Sequence, residues 1–509
     1  MVTTIGEILP EAARRFGNKS SVIVDGEELG FADLDAMSNK VANGLVSIGV
    51  MPGDRVTLYG PNSWQWVVAY YAIAKAGAVV NPISAMLTAE EVRYVVKDSG
   101  SRVLVTSSDK GLPLLDLVEA AELSHVVMWG EDLGKRGTPL QAWVDTGDDE
   151  FVLRPRDPSD LGAICYTSGT TGHPKGAMQS IRSVVAAGVG TVLMGARGPD
   201  DRVTNSLPLA HVYGSCVLNA AMLAGSTLVM VPRFDAPTVL STITEHRVTL
   251  MDGVPTAYYY LLAHPNFDQA DLSTLTRCWV GGQTLPAAKA LEFTARTGCP
   301  IHEVWGMTEL AGAASANPVV GPNKPGTIGI PFPGNAMQVV DLDDPLTVLG
   351  PGERGELMFR GPMVMDGYYG NDEATRQSIE PDGWLHSGDI ATMDEDAYFT
   401  IVDRKTDMIL TAGFNVYPAE IERVLCMHPA VALAAVTGVS DEVKGELAKA
   451  YVVLKPDTTA TSGELVAHCR EHLAAYKAPR IVQFVDTVPI TASGKIMRRL
   501  LKDYDDGTR

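Results

Sequence analysis

Apolar residues recur at Ile5, Ile8, Leu9, Ala12, Ala13 and Phe16. That spacing marks one face of an amphipathic helix. Arg55–Tyr59 is a short apolar run after a Pro-Gly turn and reads as a strand, with Asn62 or Ser63 placed to cap the helix that follows. Further apolar runs at 102–106, 125–129, 161–166, 227–231 and 250–253 read as buried strands between helical segments. Strands alternating with helices predict an α/β protein whose mostly parallel sheets are covered by helices. The most apolar stretch, 67–80, is interrupted by Lys75 and is too short to cross a bilayer, so no integral membrane segment is expected.

The texture changes after about residue 315. Gly-Pro-rich segments such as GPNKPGTIGIPFPG and GPGERGEL separate short strands. They predict a small β-rich, barrel-like subdomain over about 316–403. A tail follows, with strand-like runs at 434–439 and 450–454 and helical periodicity near 418–427 and 462–475. The expected division is therefore a body, 1–403, and a small α+β domain, 404–509.

Composition adds constraints. Hydrophobic residues make up 46% of the 509, enough for a large core, and the net charge is −20. An acidic chain is a poor general partner for nucleic acid, which needs a basic face to displace counterions. Residues 405–509 carry 13 basic and 13 acidic residues, so the excess lies wholly in the body. Between 477 and 502, Lys477, Arg480, Lys495, Arg498, Arg499 and Lys502 face only Asp486. They read either as a solvated surface or as a basic lip for an anionic ligand. Six cysteines form no CxxC pair, which fits reduced thiols in a cytoplasmic protein. The N-terminus lacks a basic segment followed by an apolar one, so no signal peptide is expected. His468 and His472 stand four apart, but with no completing acid or Cys they read as a solvated helix face.

The richest chemistry lies at 165–178, CYTSGTTGHPKGAM. Glycines let successive backbone N–H groups converge on an anion. Hydroxyls add donors and Lys175 adds a point charge. Thr167, Ser168, Gly169, Thr170, Thr171, Gly172 and Lys175 together suit a polyphosphate, although the spacing is not that of a Walker A loop.

TSGTTGHPKG resembles the signature loop of the adenylate-forming superfamily, which comprises acyl-CoA synthetases, luciferases and peptide-synthetase adenylation domains. Other motifs follow in family order across about 30–505. The stretch 402–422, VDRKTDMILTAGFNVYPAEIE, is most similar to bacterial fatty-acid–CoA ligases. The resemblance implies ATP, Mg²⁺ and coenzyme A, and a mobile C-terminal cap. In LPLAHVYGS it implies a gating His211 at an acyl pocket lined by Val212, Tyr213 and Ser215. In GGQTLP it places Gly281, Gly282 and Gln283 at the adenine edge. In WGMTE it gives Trp305, Gly306 and Met307 to the nucleotide, Thr308 to a phosphate oxygen and Glu309 to Mg²⁺. It makes Asp389 a ribose ligand, Arg404 a ribose or phosphate contact, and Lys495 the catalytic lysine of ITASGKIMRR. Gly413, Phe414 and Asn415 would approach with CoA when the cap turns about Thr406, where relatives carry Asp or Lys.

No Asp or Arg occurs between Leu207 and Ser226, which disfavours amino-acid and dicarboxylate substrates. Leu410 stands where luciferases and plant coumarate ligases usually have Lys. The expected activity is an acid–CoA ligase for a medium- or long-chain fatty acid. An aromatic or cyclic acid is the alternative, as is transfer to a carrier protein or amine. A non-catalytic nucleotide-binding protein is disfavoured by the joint presence of Lys495, Glu309 and Asp389. The resemblance leaves a homodimer open.

Overall fold

The computed structural model describes residues 2–135, 137–167, 174–411, 414–441, 445–490, 496–498 and 500–501, with Asn415 by its backbone alone. Two sheets build the body. One orders eight strands as Gly367–Tyr368, Gly176–Ser180, Leu161–Tyr166, Val79–Ile83, Arg55–Tyr59, Val103–Ser107, His125–Trp129 and Thr138–Pro139. The other orders nine as Ile330–Pro331, Gly312–Ala316, Ile301–Met307, Arg277–Gly281, Leu250–Gly253, Arg202–Asn205, Thr227–Met230, Ser20–Val24 and Glu27–Gly30. Both are parallel at their centres and antiparallel towards an edge.

Local chemistry sets the element ends. The helix Ile5–Phe16 forms as its periodicity predicts, with Ile5, Ile8, Leu9 and Ala12 buried. Ser63, not Asn62, caps the helix Trp64–Lys75 by accepting from Trp66 N at 3.2 Å. Asn62 is buried instead and ties down Leu207 and Leu209, the start of the LPLAH segment, at 2.9 and 2.8 Å. Lys75, the charge inside the most apolar stretch, is fully buried. Asp35, Ser38 and Asn39 satisfy it at 2.6–2.7 Å, as a buried ammonium requires.

The expected barrel-like subdomain takes the form of an open antiparallel sheet, Ala336–Val340, Gly355–Arg360, Leu385–Met393 and Phe399–Arg404. The strand Ile330–Pro331 still belongs to the nine-stranded sheet. The C-terminal unit has its own core around Ile421, Leu425, Val436, Val452 and Leu465. Its sheet joins Phe414–Val416, Ile409–Thr411, Gly445–Leu454 and Val431–Asp441, with Ile481–Phe484 alongside Gly445–Leu454. No helix among the described residues is long and apolar enough to cross a membrane.

Candidate active site

Four of the motif loops follow the carboxyl ends of parallel strands, the usual ligand edge of such sheets. They leave Leu161–Tyr166, Arg202–Asn205, Arg277–Gly281 and Ile301–Met307. The first is a hairpin loop between Leu161–Tyr166 and Gly176–Ser180, closed by Thr167 N donating to Lys175 O at 2.9 Å. Ser168, Gly169, Thr170, Thr171 and Gly172 lie outside the described residues, as do Gly413 and Lys495.

Thr308 and Glu309 sit at the apex between Ile301–Met307 and Gly312–Ala316. The chain reverses there because Ala311 adopts φ +57°, a left-handed conformation costly for a residue with a Cβ. A side chain at Gly306 would overlap the Gly312 carbonyl, so the two strands close only around glycine. Gln179 donates to the Thr308 carbonyl at 2.8 Å, and Tyr368 donates its phenol to Glu309 Oε1 at 2.7 Å. Burial and then the Glu309 carboxylate push the Tyr368 phenol above its ordinary value, so it remains a donor. Lys175 Nζ lies 5.2 Å from the centre of the Tyr368 ring. Tyr368 thus links the lysine of one motif to the acid of another. Nothing in the sequence pattern singled out Tyr368 or Gln179. Glu309 offers hard carboxylate oxygens, which fit Mg²⁺.

Trp305 is 8% exposed and packs beside Phe359. Its Nε1 donates to Asp389 Oδ2 at 2.7 Å, while Arg404 Nε meets Asp389 Oδ1 at 2.7 Å. Each carboxylate oxygen retains a second lone pair. The structure thus joins three predicted site residues into one hydrogen-bonded group.

Gly281 ends its strand where a Cβ would press on Val304 and approach Tyr213 Cε1 at 3.3 Å. Gly282 has φ +92°, the region that favours glycine. His211 caps the helix Val212–Ala224, its Nδ1 accepting from Tyr213 N at 3.2 Å. Ser215 Oγ turns back onto Val212 O at 3.3 Å. Behind Tyr213, Arg197 and Asp252 form a fully buried two-pronged ion pair at 2.7 and 2.8 Å. The Tyr213 phenol reaches Asp252 Oδ1 at 3.4 Å, and the guanidinium lies over Trp279, 5.0 Å from the ring centre. Burial, then Asp252, drive the Tyr213 phenol well above its ordinary value.

The C-terminal unit docks against the body. Gln283 Oε1 accepts from Ile496 N at 3.2 Å, Arg354 meets Glu420 at 3.1 Å, and Lys405 meets Glu356 at 3.1 Å. Exposed Thr406 lies in the turn between Arg404 and Asp407. Phe414 is 53% exposed and stacks on Tyr476 at 4.6 Å.

The basic lip is weaker than the local charge count implied. Lys477 pairs with Glu420, and Arg498 is claimed by Glu422 and Asp407. These acids come from earlier in the tail, beyond the window in which Asp486 stood alone.

Residues 9–369 match the AMP-binding enzyme family and residues 420–495 the AMP-binding enzyme C-terminal domain. The long-chain-fatty-acid–CoA ligase of Bacillus subtilis (strain 168) is 33% identical over 99% of this chain and 94% of its own length. A feruloyl-CoA synthase of an Amycolatopsis species is 37% identical over 96% of each. An anthranilate CoA ligase crystallised with anthranoyl-AMP superposes with a TM-score of 0.92 at 30% identity, covering 99% of this chain and 97% of that one. The chain belongs to the AMP-binding enzyme family and is an AMP-forming acid–CoA ligase.

Proposed function

We propose that this ligase activates a compact aromatic or cyclic carboxylic acid, preferably one whose ring carries a polar substituent. The observation that carries this reading is the polar wall behind Tyr213. A long alkyl chain laid against the Tyr213 phenol, which the buried pair behind it holds in place, gains nothing from that polar atom. A ring hydroxyl or amine gains an acceptor in the Tyr213 phenol oxygen, whose own proton goes to Asp252. Arg197 is already engaged by Asp252, so a second substrate carboxylate gains no free guanidinium there. The relatives named for feruloyl and anthranilate thioesters support the same reading. Long-chain relatives of 33–35% identity favour a fatty acid as the second reading.

The proposed reaction has two halves. A carboxylate oxygen attacks the α-phosphorus of ATP, and the bond to the pyrophosphate oxygen breaks. Charge grows on phosphate oxygens, so positioned donors do most of the work. Thr308, Lys175, the loop at 167–172 and Lys495 would supply them. Glu309 would hold Mg²⁺, which neutralises phosphate charge when bound. His211, Val212, Tyr213 and Ser215 would line the acyl side. Gly281, Gly282, Gln283, Trp305, Gly306 and Met307 would enclose the base, with Asp389 and Arg404 at the ribose. In the second half the CoA thiol loses its proton, its sulfur bonds the acyl carbon, and AMP leaves with the former carboxylate oxygen.

The Gln283–Ile496 bond brings the segment after Lys495 onto the adenine-edge loop, which suits the adenylating half. Turning about Thr406 would then exchange that segment for Gly413, Phe414 and Asn415. ATP and CoA supply, with six free cysteines, favours a cytoplasmic setting.

A panel of carboxylic acids scored by AMP release with CoA tests the substrate. Hydroxy- or amino-substituted ring acids should give the highest kcat/KM. Preference for medium or long alkyl acids would overturn the reading.

A further inference from the structure

The structure assigns a divalent transition-metal site to the outer face of the helix Ser462–His472: His468, Glu471 and His472. Glu471 and His472 stand three and four residues after His468, so each adjoins it on the helix surface. One donor atom from each lies within 4.8 Å of the others. Metal bonds of about 2.1 Å in tetrahedral geometry set donors about 3.4 Å apart. Glu471 and His472 are exposed, so side-chain rotation can close the difference.

The two imidazoles are oriented for ligation by backbone carbonyls. His468 Nε2 faces Val424 O at 3.1 Å, and His472 Nδ1 faces His468 O at 2.9 Å. A carbonyl oxygen only accepts, so each facing nitrogen carries the proton. Nδ1 of His468 and Nε2 of His472 are left with their lone pairs. Ligating histidines commonly have their second nitrogen held in this way, which fixes both tautomer and ring direction. Val424 belongs to the neighbouring helix Pro418–Met427, so one ligand is anchored on two elements.

A third imidazole, His428, packs edge-on against His468 at 5.3 Å. Its Nδ1 accepts from Ala430 N at 3.3 Å. That places its proton on Nε2, so His428 supports the ring by packing rather than by ligation.

From spacing alone the histidine pair is a solvated face with no completing acid. Glu471 supplies it, and the spacing becomes His-x-x-Glu-His. Some zinc hydrolases share that spacing, with the Glu as base. Here the triad is on the surface, so the inference is binding alone. Two imidazoles and one carboxylate select Zn²⁺, Ni²⁺ or Cu²⁺ over Mg²⁺ and Ca²⁺.

The test uses the full chain without added histidines, stripped with EDTA and titrated with Zn²⁺ against a chromophoric chelator. One equivalent should bind with micromolar affinity, undisturbed by a large excess of Mg²⁺. His472→Ala and His472→Gln should each weaken binding at least about tenfold, and Glu471→Gln by a few-fold. Unchanged circular dichroism and Tm certify the folded variants. Absence of a micromolar site, or wild-type affinity in either His472 variant, would overturn the assignment.

Discussion

Trp305 donates its indole N–H to Asp389 Oδ2 at 2.7 Å, across 84 residues of sequence, while Arg404 holds the opposite oxygen. The aromatic residue of one motif thereby orients the carboxylate of another. A phenylalanine at 305 keeps an aromatic ring beside Phe359 and loses the donor together with part of the indole's volume. Hydrogen bonds to charged groups contribute about 1.5–3 kcal/mol. Trp305→Phe should therefore raise the KM for ATP about tenfold or more and leave the KM for the acid unchanged. Steady-state kinetics with each substrate varied would check this, and a wild-type ATP KM would refute it.

Tyr368 holds Glu309 Oε1 at 2.7 Å beneath Lys175. Tyr368→Phe leaves the ring and removes the donor, so the carboxylate that would meet Mg²⁺ loses its fixed pose. ATP–pyrophosphate exchange should fall about tenfold, as expected for a charge-assisted bond of this kind, with little change in Tm. Unchanged exchange would exclude Tyr368 from the adenylating half.

The residues that carry motifs were legible, and those that orient them were not. Helix and strand spans such as 5–16, 55–59 and 418–427 follow from short-range periodicity, so they could be read directly. Thr308, Glu309, Lys175, Asp389 and Arg404 stood out because several uncommon residues fall in a fixed order. Tyr368 and Gln179 did not, since each is an ordinary residue acting 59 or 129 positions away. The pair Arg197–Asp252 was hidden for the same reason, its members lying 55 apart. Charge counted along the tail misled at the basic lip, because Glu420 and Glu422 reach Lys477 and Arg498 only after folding.

Arg197 and Asp252 are both fully buried and satisfy one another. Asp252→Asn would keep the size and remove the charge, leaving a guanidinium uncompensated in the core. Breaking a buried pair from one side costs about 3–5 kcal/mol. Urea denaturation should show a loss of that size for the body. A midpoint equal to wild type would mean that water or a shifted side chain replaces the carboxylate.

Phe414 begins the strand Phe414–Val416 and stacks on Tyr476 at 4.6 Å and 27°. Aromatic pairs contribute about 0.5–1.5 kcal/mol beyond their area. In the proposed second half, Tyr476→Ala would loosen the segment that approaches with CoA. Pyrophosphate exchange should stay at the wild-type rate while the KM for CoA rises several-fold. A matching loss in both halves would reduce Tyr476 to a structural residue of the cap.

Glu303 lies two residues before Trp305 on the same strand, 3% exposed, and burial pushes its carboxyl up to about 8 from an ordinary 4.5. Its Oε1 accepts from Gly326 N at 2.5 Å. The folded protein keeps this proton at pH values where the unfolded chain has released it. A raised acid contributes its full stability below about pH 4.5, and that contribution is lost as pH rises through about 8. Glu303→Gln removes the titration and can retain the acceptor. Between about pH 5 and 8 the urea midpoint of wild type should fall relative to that of the variant, with the gap widening towards the alkaline end. Parallel pH profiles would show that Glu303 ionises at its ordinary value in the folded chain.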